Sequence, residues 1–387
     1  MSIESKVVVH TQKERSKFLQ RCLMVGGAAI LVACSSGPEK PKPEPLPPVT
    51  ALIGVQQAWT AQVGDSSASV SPYAVAGRVY VASSAGTVAA LDADTGQDVW
   101  RINLGTSIAA GVGSDGETAA VVTRGNELVA IAGGKEAWRV RLPARTFTSP
   151  LVAGKRVFVL MADRSVSAFD GQTGARLWSQ SRTAEPLVLS QGGVLLAVGD
   201  TLVAGLSGRL VGLNPLNGSV RWEAPVGNSR GTNEVERLVD LVGPASRVGN
   251  SVCVRAYSAA VGCVDTSRGV STWVRPAQGI VGVHGDETHV FGVEANGRVQ
   301  AWKRSSGEPA WHTDRLLHRN LGAPMAVGRV VAVGDSLGTV HVLSREDGSE
   351  MNRLSTDGSP VLMAPIMANN VLVVQTRKGG VYAWRPQ

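Results

Sequence analysis

One pattern that recurs about every forty residues constrains this chain more than any other feature of its sequence. The pattern is Gly-x4-apolar-x4-Gly-x3-Trp, and its first copy runs from Gly86 to Trp100. Further full or partial copies follow to the end of the chain, where Gly379 and Trp384 belong to the last. Repeats of this period are structural units that bury their apolar faces against one another. The closing positions of successive copies are Trp59, Trp100, Trp138, Trp178, Trp222, Trp273, Trp311 and Asn352.

Short apolar runs between these positions predict β-strands. Arg78–Ala82 and 157–160 are typical, and turn residues bound them; the 45 glycines of the chain suit many tight turns. A four-stranded unit every 40–45 residues is the period of a propeller blade. The last copy lacks its closing strand, which the segment around Trp59 can supply. The sequence therefore predicts an all-β fold, an eight-bladed β-propeller with WD40/PQQ-like four-stranded blades, over residues 51–387.

The N-terminus reads as a targeting signal and a tether. A basic stretch ends at Arg21, and a twelve-residue apolar run follows, about 18 Å of helix and too short for a bilayer. The run ends in Leu-Val-Ala-Cys34, which resembles the lipobox of bacterial lipoproteins. That resemblance implies a signal peptide over 1–33, acylation of Cys34 and, with Ser35 next, delivery to the outer membrane; the alternative is an ordinary secretory signal. Six prolines within 35–49 then predict an extended lipid-anchored linker over 34–50.

No catalytic, metal or nucleic-acid site emerges from the sequence. Gly334–Gly338 matches G-x-S-x-G, but strand-like runs flank it on both sides, so a hairpin turn is expected rather than a nucleophile elbow. The six histidines show no ligand spacing. Of the net charge of +7, a share of +3 lies in residues 1–33, and the remaining +4 is spread along the chain, which argues against nucleic acid as a partner.

The main enzyme alternative is a periplasmic quinoprotein dehydrogenase, which would bind pyrroloquinoline quinone with calcium on the propeller axis. Asp92–Trp100 resembles the Trp-docking repeat of those enzymes. The chain is much shorter than they are, however, and lacks their adjacent cysteine pair. Packing between blades accounts for a tryptophan at a fixed repeat position, so no cofactor is expected.

Cys253 and Cys263 lie on two strand-like runs that one turn joins. Antiparallel pairing brings them opposite or nearly so, within reach of a disulfide in an oxidising compartment. Two buried free thiols are the alternative.

Beyond the architecture, local motifs resemble the BamB family, lipoproteins of the outer-membrane β-barrel assembly (BAM) machinery. Asp314–Arg319, Val333–His341 and 346–348 resemble the family's seventh blade, and Asn233–Asp240 its connection between blades four and five. The resemblance implies a non-enzymatic scaffold on the periplasmic side of the outer membrane. Its partners would be the POTRA domains of BamA, the other BAM subunits through BamA, and unfolded β-barrel clients. A peptide-binding envelope propeller of another system is a further alternative.

The family contacts BamA through two segments between blades. Leu187 and Leu189 match the first, Leu-x-Leu-Arg, although Ser190 stands where the family has arginine. The alternative for these leucines is a buried innermost strand. Both segments follow a closing Trp strand, so they are expected on one face of adjacent blades.

The second segment is Arg-Leu-x-Asp-x-Asp in the family. Arg237, Leu238 and Asp240 match it, and Val242 replaces the second aspartate. The alternative is a local ion pair between Arg237 and Asp240. Both departures from the family pattern remove charge, which predicts a more apolar or differently paired interface.

Overall fold

The computed structural model describes residues 41–43, 45–67, 70–181, 187–228 and 238–386, and within them the protein is all-β. Among these residues there is no helix with both the length and the apolar character that a membrane span requires. Thirty-two strands form eight four-stranded sheets, which we number as blades one to eight. The bounds of the strands in blades one to four are β2 Tyr73–Val75, β3 Arg78–Ala82, β4 Thr87–Asp92, β5 Asp98–Asn103, β6 Ile108–Ser114, β7 Thr118–Thr123, β8 Glu127–Ala132, β9 Lys135–Arg141, β10 Leu151–Ala153, β11 Arg156–Leu160, β12 Val166–Asp170, β13 Arg176–Gln180, β14 Leu195–Val198, β15 Thr201–Leu206, β16 Arg209–Leu213 and β17 Val220–Pro225. Those of blades five to eight are β18 Leu241–Val248, β19 Ser251–Ala256, β20 Ala260–Asp265, β21 Val270–Pro276, β22 His284–Gly285, β23 His289–Val293, β24 Val299–Lys303, β25 Pro309–Thr313, β26 Met325–Val327, β27 Val330–Gly334, β28 Thr339–Ser344, β29 Glu350–Ser355, β30 Ile366–Ala368, β31 Val371–Gln375, β32 Gly380–Pro386 and, from the start of the chain, β1 Val55–Gln62.

The eighth blade closes the ring with strands from both ends of the chain. Seven blades use four consecutive strands, whereas the order of the eighth is β30-β31-β32-β1. Strand β1 pairs antiparallel with β32, from Val55 opposite Pro386 to Gln62 opposite Gly380. The eight-bladed propeller is thus confirmed, with the segment around Trp59 as its closing strand.

Tryptophans on the fourth strands join seven of the eight blades to the next blade. Trp138 in blade two donates from Nε1 to the carbonyl of Gly171 at 2.9 Å, and its ring covers Gly174 in blade three. Gly174 has a φ of +72°, and a Cβ there would lie 2.7 Å from the indole. Since glycine is the residue that accepts both demands, the Gly and Trp positions of the repeat form one inter-blade contact. The same contact joins Trp59 to Gly96, Trp100 to Gly134, Trp178 to Gly218, Trp222 to Gly269, Trp273 to Gly307 and Trp311 to Gly348.

Alternating strand direction places the connections of every blade on two opposite faces. Loops that lead from the fourth strand of one blade to the first strand of the next blade lie on the same face as the turns between second and third strands. Backbone hydrogen bonds join the two kinds of loop, for example from Ala162 to Arg145 at 2.7 Å and from Ser258 to Gly279 at 2.8 Å. We call this face the upper face; it carries the segments that the sequence singles out.

Cys253 and Cys263 are directly opposite each other on β19 and β20, and both are buried. The structure joins their Sγ atoms in a disulfide. We propose that this bridge forms in the mature protein.

Reduction of this bridge is expected to destabilise the propeller by about 2–3 kcal/mol, the chain-entropy value for a loop of roughly ten residues. Urea unfolding with and without reductant measures the difference. A Cys253→Ala/Cys263→Ala variant serves as the control, because reductant should leave its unfolding midpoint unchanged. An equal midpoint for the parent protein with and without reductant would mean that the thiols are free.

Candidate functional site

The two segments that the sequence singles out meet on the upper face between blades three and five. Residues 187–189 lie in the loop between β13 and β14, and residues 238–240 lie between β17 and β18. Leu187, Leu189 and Leu238 are partly buried and belong to no strand. The innermost strand of blade four is β14, so these leucines are free of the sheet's hydrogen bonding.

Asp240 holds the two segments together. One carboxylate oxygen, Oδ2, accepts a hydrogen bond from the backbone amide of Leu189 at 3.1 Å. The other, Oδ1, accepts from Nη2 of Arg164 at 3.1 Å. The same Nη2 donates to the carbonyl of Leu187, also at 3.1 Å. Arg164 and Asp240 therefore clamp the backbone of 187–189 at both ends; we call Arg164, Asp240, Leu187 and Leu189 the clamp.

Arg164 comes from the turn between β11 and β12 in blade three. Its backbone is left-handed, with a φ of +63°, and its amide donates to the carbonyl of Met161 at 2.9 Å. The side chains of Arg164 and Asp240 are only 10% and 18% exposed. Removing either side chain would therefore leave the charge of the other unpaired by it in a poorly hydrated place. Sequence reasoning missed Arg164, because nothing in a common turn indicates a contact with a residue 76 positions away.

The two departures from the family pattern have different consequences in the structure. Ser190 is exposed, so its position is at the surface beside the clamp. Val242 is 1% exposed and lies within β18, where it pairs with Arg255. The exchange of the family's aspartate for Val242 therefore alters the interior of the blade. The charged groups beside Leu187 and Leu189 are Arg164 and Asp240. Arg237 and Cys34 lie outside the described residues.

An axial cavity of about 730 Å³ opens beside the clamp, lined by residues from seven blades and from the loop between blades six and seven. Of the described residues that line it, only Glu294 carries a carboxylate, and that group pairs with buried Arg255 at 3.2 Å. Within the described ranges, no group of three or more His, Cys, Asp or Glu side chains is arranged to hold a metal ion. The axial donor set that the quinoprotein alternative requires is therefore lacking in this part of the chain.

The G-x-S-x-G motif forms a hairpin turn in blade seven. Strands β27 and β28 flank it and pair antiparallel. Ser336 Oγ donates to the carbonyl of Arg319 at 2.8 Å, whereas His341 faces carboxylates, with Asp335 at 3.1 Å and Glu350 at 3.2 Å. No serine–histidine pair forms at this motif.

Both ring nitrogens of His341 lie near carboxylates, an arrangement that favours its charged form. Burial by itself would lower its pKa, but hydrogen bonds to Asp335 and Glu350 outweigh burial and raise the pKa above 6.5. Burial would likewise raise the pKa of Glu350, yet hydrogen bonds from His341 and Arg353 hold it at about 2. Carboxylates only accept hydrogen bonds, so both ring nitrogens of His341 donate.

The stability that His341 contributes is expected to depend on pH. A group whose pKa is raised on folding stabilises fully below its unfolded pKa, about 6.5, and loses that effect as the pH rises through the folded pKa. A His341→Gln variant should therefore lose most stability relative to the parent near pH 5.5, and less at higher pH. Urea unfolding across this pH range measures the difference in free energy of unfolding between variant and parent, with His312→Gln on the exposed surface as control. A difference that grows as the pH rises would contradict the raised pKa of His341.

Comparisons with known proteins agree on one family. Residues 84–313 match the family model described as outer membrane protein assembly factor BamB. A relative of that name from Burkholderia pseudomallei is 40% identical, over 93% of this chain and 96% of its own length. Another from Bordetella pertussis is 32% identical, over 93% and 95% of the two chains.

Solved structures show the same fold. The crystal structure of BamB from Moraxella catarrhalis superposes with a TM-score of 0.78 at 25% identity, covering 86% of this chain and all of that one. A quinohemoprotein alcohol dehydrogenase from Comamonas testosteroni gives a TM-score of 0.66 at 14% identity, covering 85% of this chain and 76% of that one. At that identity the second likeness concerns the propeller fold alone.

Proposed function

This chain belongs to the BamB family of outer membrane protein assembly factors, and from that premise we propose that it is a lipid-anchored scaffold that binds the periplasmic POTRA domains of BamA. The family places it in the assembly of outer-membrane proteins, at the outer membrane. It acts by binding rather than by catalysis. Acylated Cys34 would anchor it on the periplasmic side.

The clamp is the observation that supports this binding role. Exposed loops on a rigid ring are where binding functions concentrate, and this loop is held by a charge pair that joins a turn of blade three to the loop before blade five. Leu187, Leu189 and Leu238 present partly buried apolar surface beside that pair, and Ser190 adds an exposed polar edge. Apolar anchors with a polar rim are the usual make-up of a protein–protein contact. Holding the loop in place before binding lowers the entropy lost on association.

The proposed binding to BamA also implies the other partners. Bound to BamA, the propeller would join the other BAM subunits through BamA and stand where unfolded β-barrel clients arrive. Arg237, which matches the arginine of the second family motif, is proposed as a further contact.

Binding of the full-length protein to purified POTRA domains of BamA tests the proposal. We expect binding by the parent and a strong loss in the Leu187→Ala/Leu189→Ala variant, with unchanged thermal unfolding. Leu177→Ala is the matched control, because this leucine is 45% exposed on the outer strand of blade three and away from the clamp. No binding by the folded parent would remove the proposal; loss in the control as well would move the contact elsewhere on the ring.

A further inference from the structure

The segment Leu46–Ile53, just before the first strand, lies across the outer strand of blade seven. The amide of Leu52 donates to the carbonyl of Met351 at 2.9 Å. The carbonyl of Pro47 accepts from Nη1 of Arg353 at 2.7 Å. Met351 and Arg353 both belong to β29, so the segment is fastened to that strand at two places; we call Leu46–Ile53 the strap.

Apolar side chains at the two ends of the strap pack on opposite sides of blade seven. Leu46 packs against the buried cluster that includes Val299 of blade six and Val333 of blade seven. Ile53 packs against the cluster that includes Val340 of blade seven and Trp384 of blade eight. The strap therefore wraps around the rim of blade seven, from the junction with blade six to the junction with blade eight.

Blade seven is also where the repeat departs from its pattern. Asn352 stands at its closing position, where the seven other blades have tryptophan. Its Nδ2 donates to the carbonyl of Ile53 at 3.0 Å. An amide side chain that binds the strap thus replaces an indole that would cover the next blade. The asparagine therefore occurs in the blade whose outer strand binds the strap.

We propose that the strap fixes the membrane tether to the rim between blades six and seven, so that this rim faces the membrane. The inference rests on the proposed lipid anchor at Cys34. From Cys34 to Val55 the tether would reach about 65 Å in a polyproline conformation. From Cys34 to Leu46 it would reach only about 37 Å. A short tether that starts at one point of the rim holds that point nearest the bilayer. The loops of blades three and four, which carry Arg164 and Leu189, then lie in the half of the ring away from the membrane, open to a partner in the periplasm.

Two equivalent loops on opposite sides of the ring allow a direct test. Arg315 lies between β25 and β26 at the junction of blades six and seven, and Arg145 between β9 and β10 at the junction of blades two and three. Both residues are exposed, and the two junctions are four blades apart in a ring of eight. The lipidated full-length protein would carry a single fluorophore at Arg315→Cys or Arg145→Cys, on vesicles that contain an acceptor lipid. Energy transfer is expected to be roughly twofold higher or more from position 315, because the tether is short.

A pair of strap variants shows whether the strap causes this orientation. Leu46→Asp should free the end of the strap and reduce the difference between the two labels. Leu52→Asp is the matched control, because that side chain is 66% exposed and the same substitution there should leave the difference intact. Equal transfer from both labels, or more from position 145, would overturn the inference while leaving binding to POTRA domains untouched. A full-length protein without lipid on mass spectrometry would remove the anchor and this inference together.

Discussion

Reversal of the charge at position 240 is expected to weaken binding to the POTRA domains strongly. In an Asp240→Arg variant two guanidinium groups face each other, and the amide of Leu189 loses its acceptor. Breaking a poorly hydrated charge pair costs on the order of 2–5 kcal/mol, which corresponds to a loss of affinity of about 30-fold or more when the clamped loop is what the partner binds. Titration of labelled POTRA domains with each variant measures the loss.

A charge swap separates the clamp from a general effect of charge. The double variant Arg164→Asp/Asp240→Arg restores opposite charges at the same place and should recover a substantial part of the affinity. The control is Asp200→Arg in blade four, whose partner Arg221 lies at 2.9 Å but whose own side chain is 84% exposed. Exposed pairs contribute little, so this variant should bind within about a factor of three of the parent. Parent-like binding by Asp240→Arg would show that the clamp is not part of the contact.

Loss of one inter-blade tryptophan is expected to have the largest effect on stability. Trp273 is 7% exposed, donates to the carbonyl of Arg304 at 2.7 Å and covers Gly307. Replacement by alanine removes a large buried ring that blades five and six share, which costs about 3–5 kcal/mol. Val274→Ala, at the next residue of the same strand, is the matched control because Val274 is 38% exposed. That change should cost less than about 1 kcal/mol.

Chemical unfolding of both variants gives the comparison. A Trp273→Ala protein as stable as the control would mean that the ring does not depend on these contacts. A lower unfolding slope in place of a lower midpoint would indicate that blades five and six separate before the rest of the ring unfolds.

The propeller follows from the sequence because its determinants are local and repeated. Blades one to six each carry a turn glycine and a closing tryptophan at a fixed spacing, and the number of repeat copies sets the number of blades. The spare strand around Trp59 and the incomplete last copy together predicted closure by β1. The hairpin at Gly334–Gly338 followed from its two flanking strands in the same way.

The clamp and the strap depend on contacts that no local pattern encodes. Arg164 and Asp240 come from different blades, and they meet because the ring places a turn of blade three beside a loop before blade five. The strap reaches β29 across about 300 residues of sequence, since closure brings the start of the chain to its last two blades. The resemblance in sequence selected Leu187, Leu189 and Asp240 but not the arginine that orders them. The spacing of glycines and tryptophans determined the ring by itself, whereas only the closed ring decided which charged and apolar groups of distant blades become neighbours.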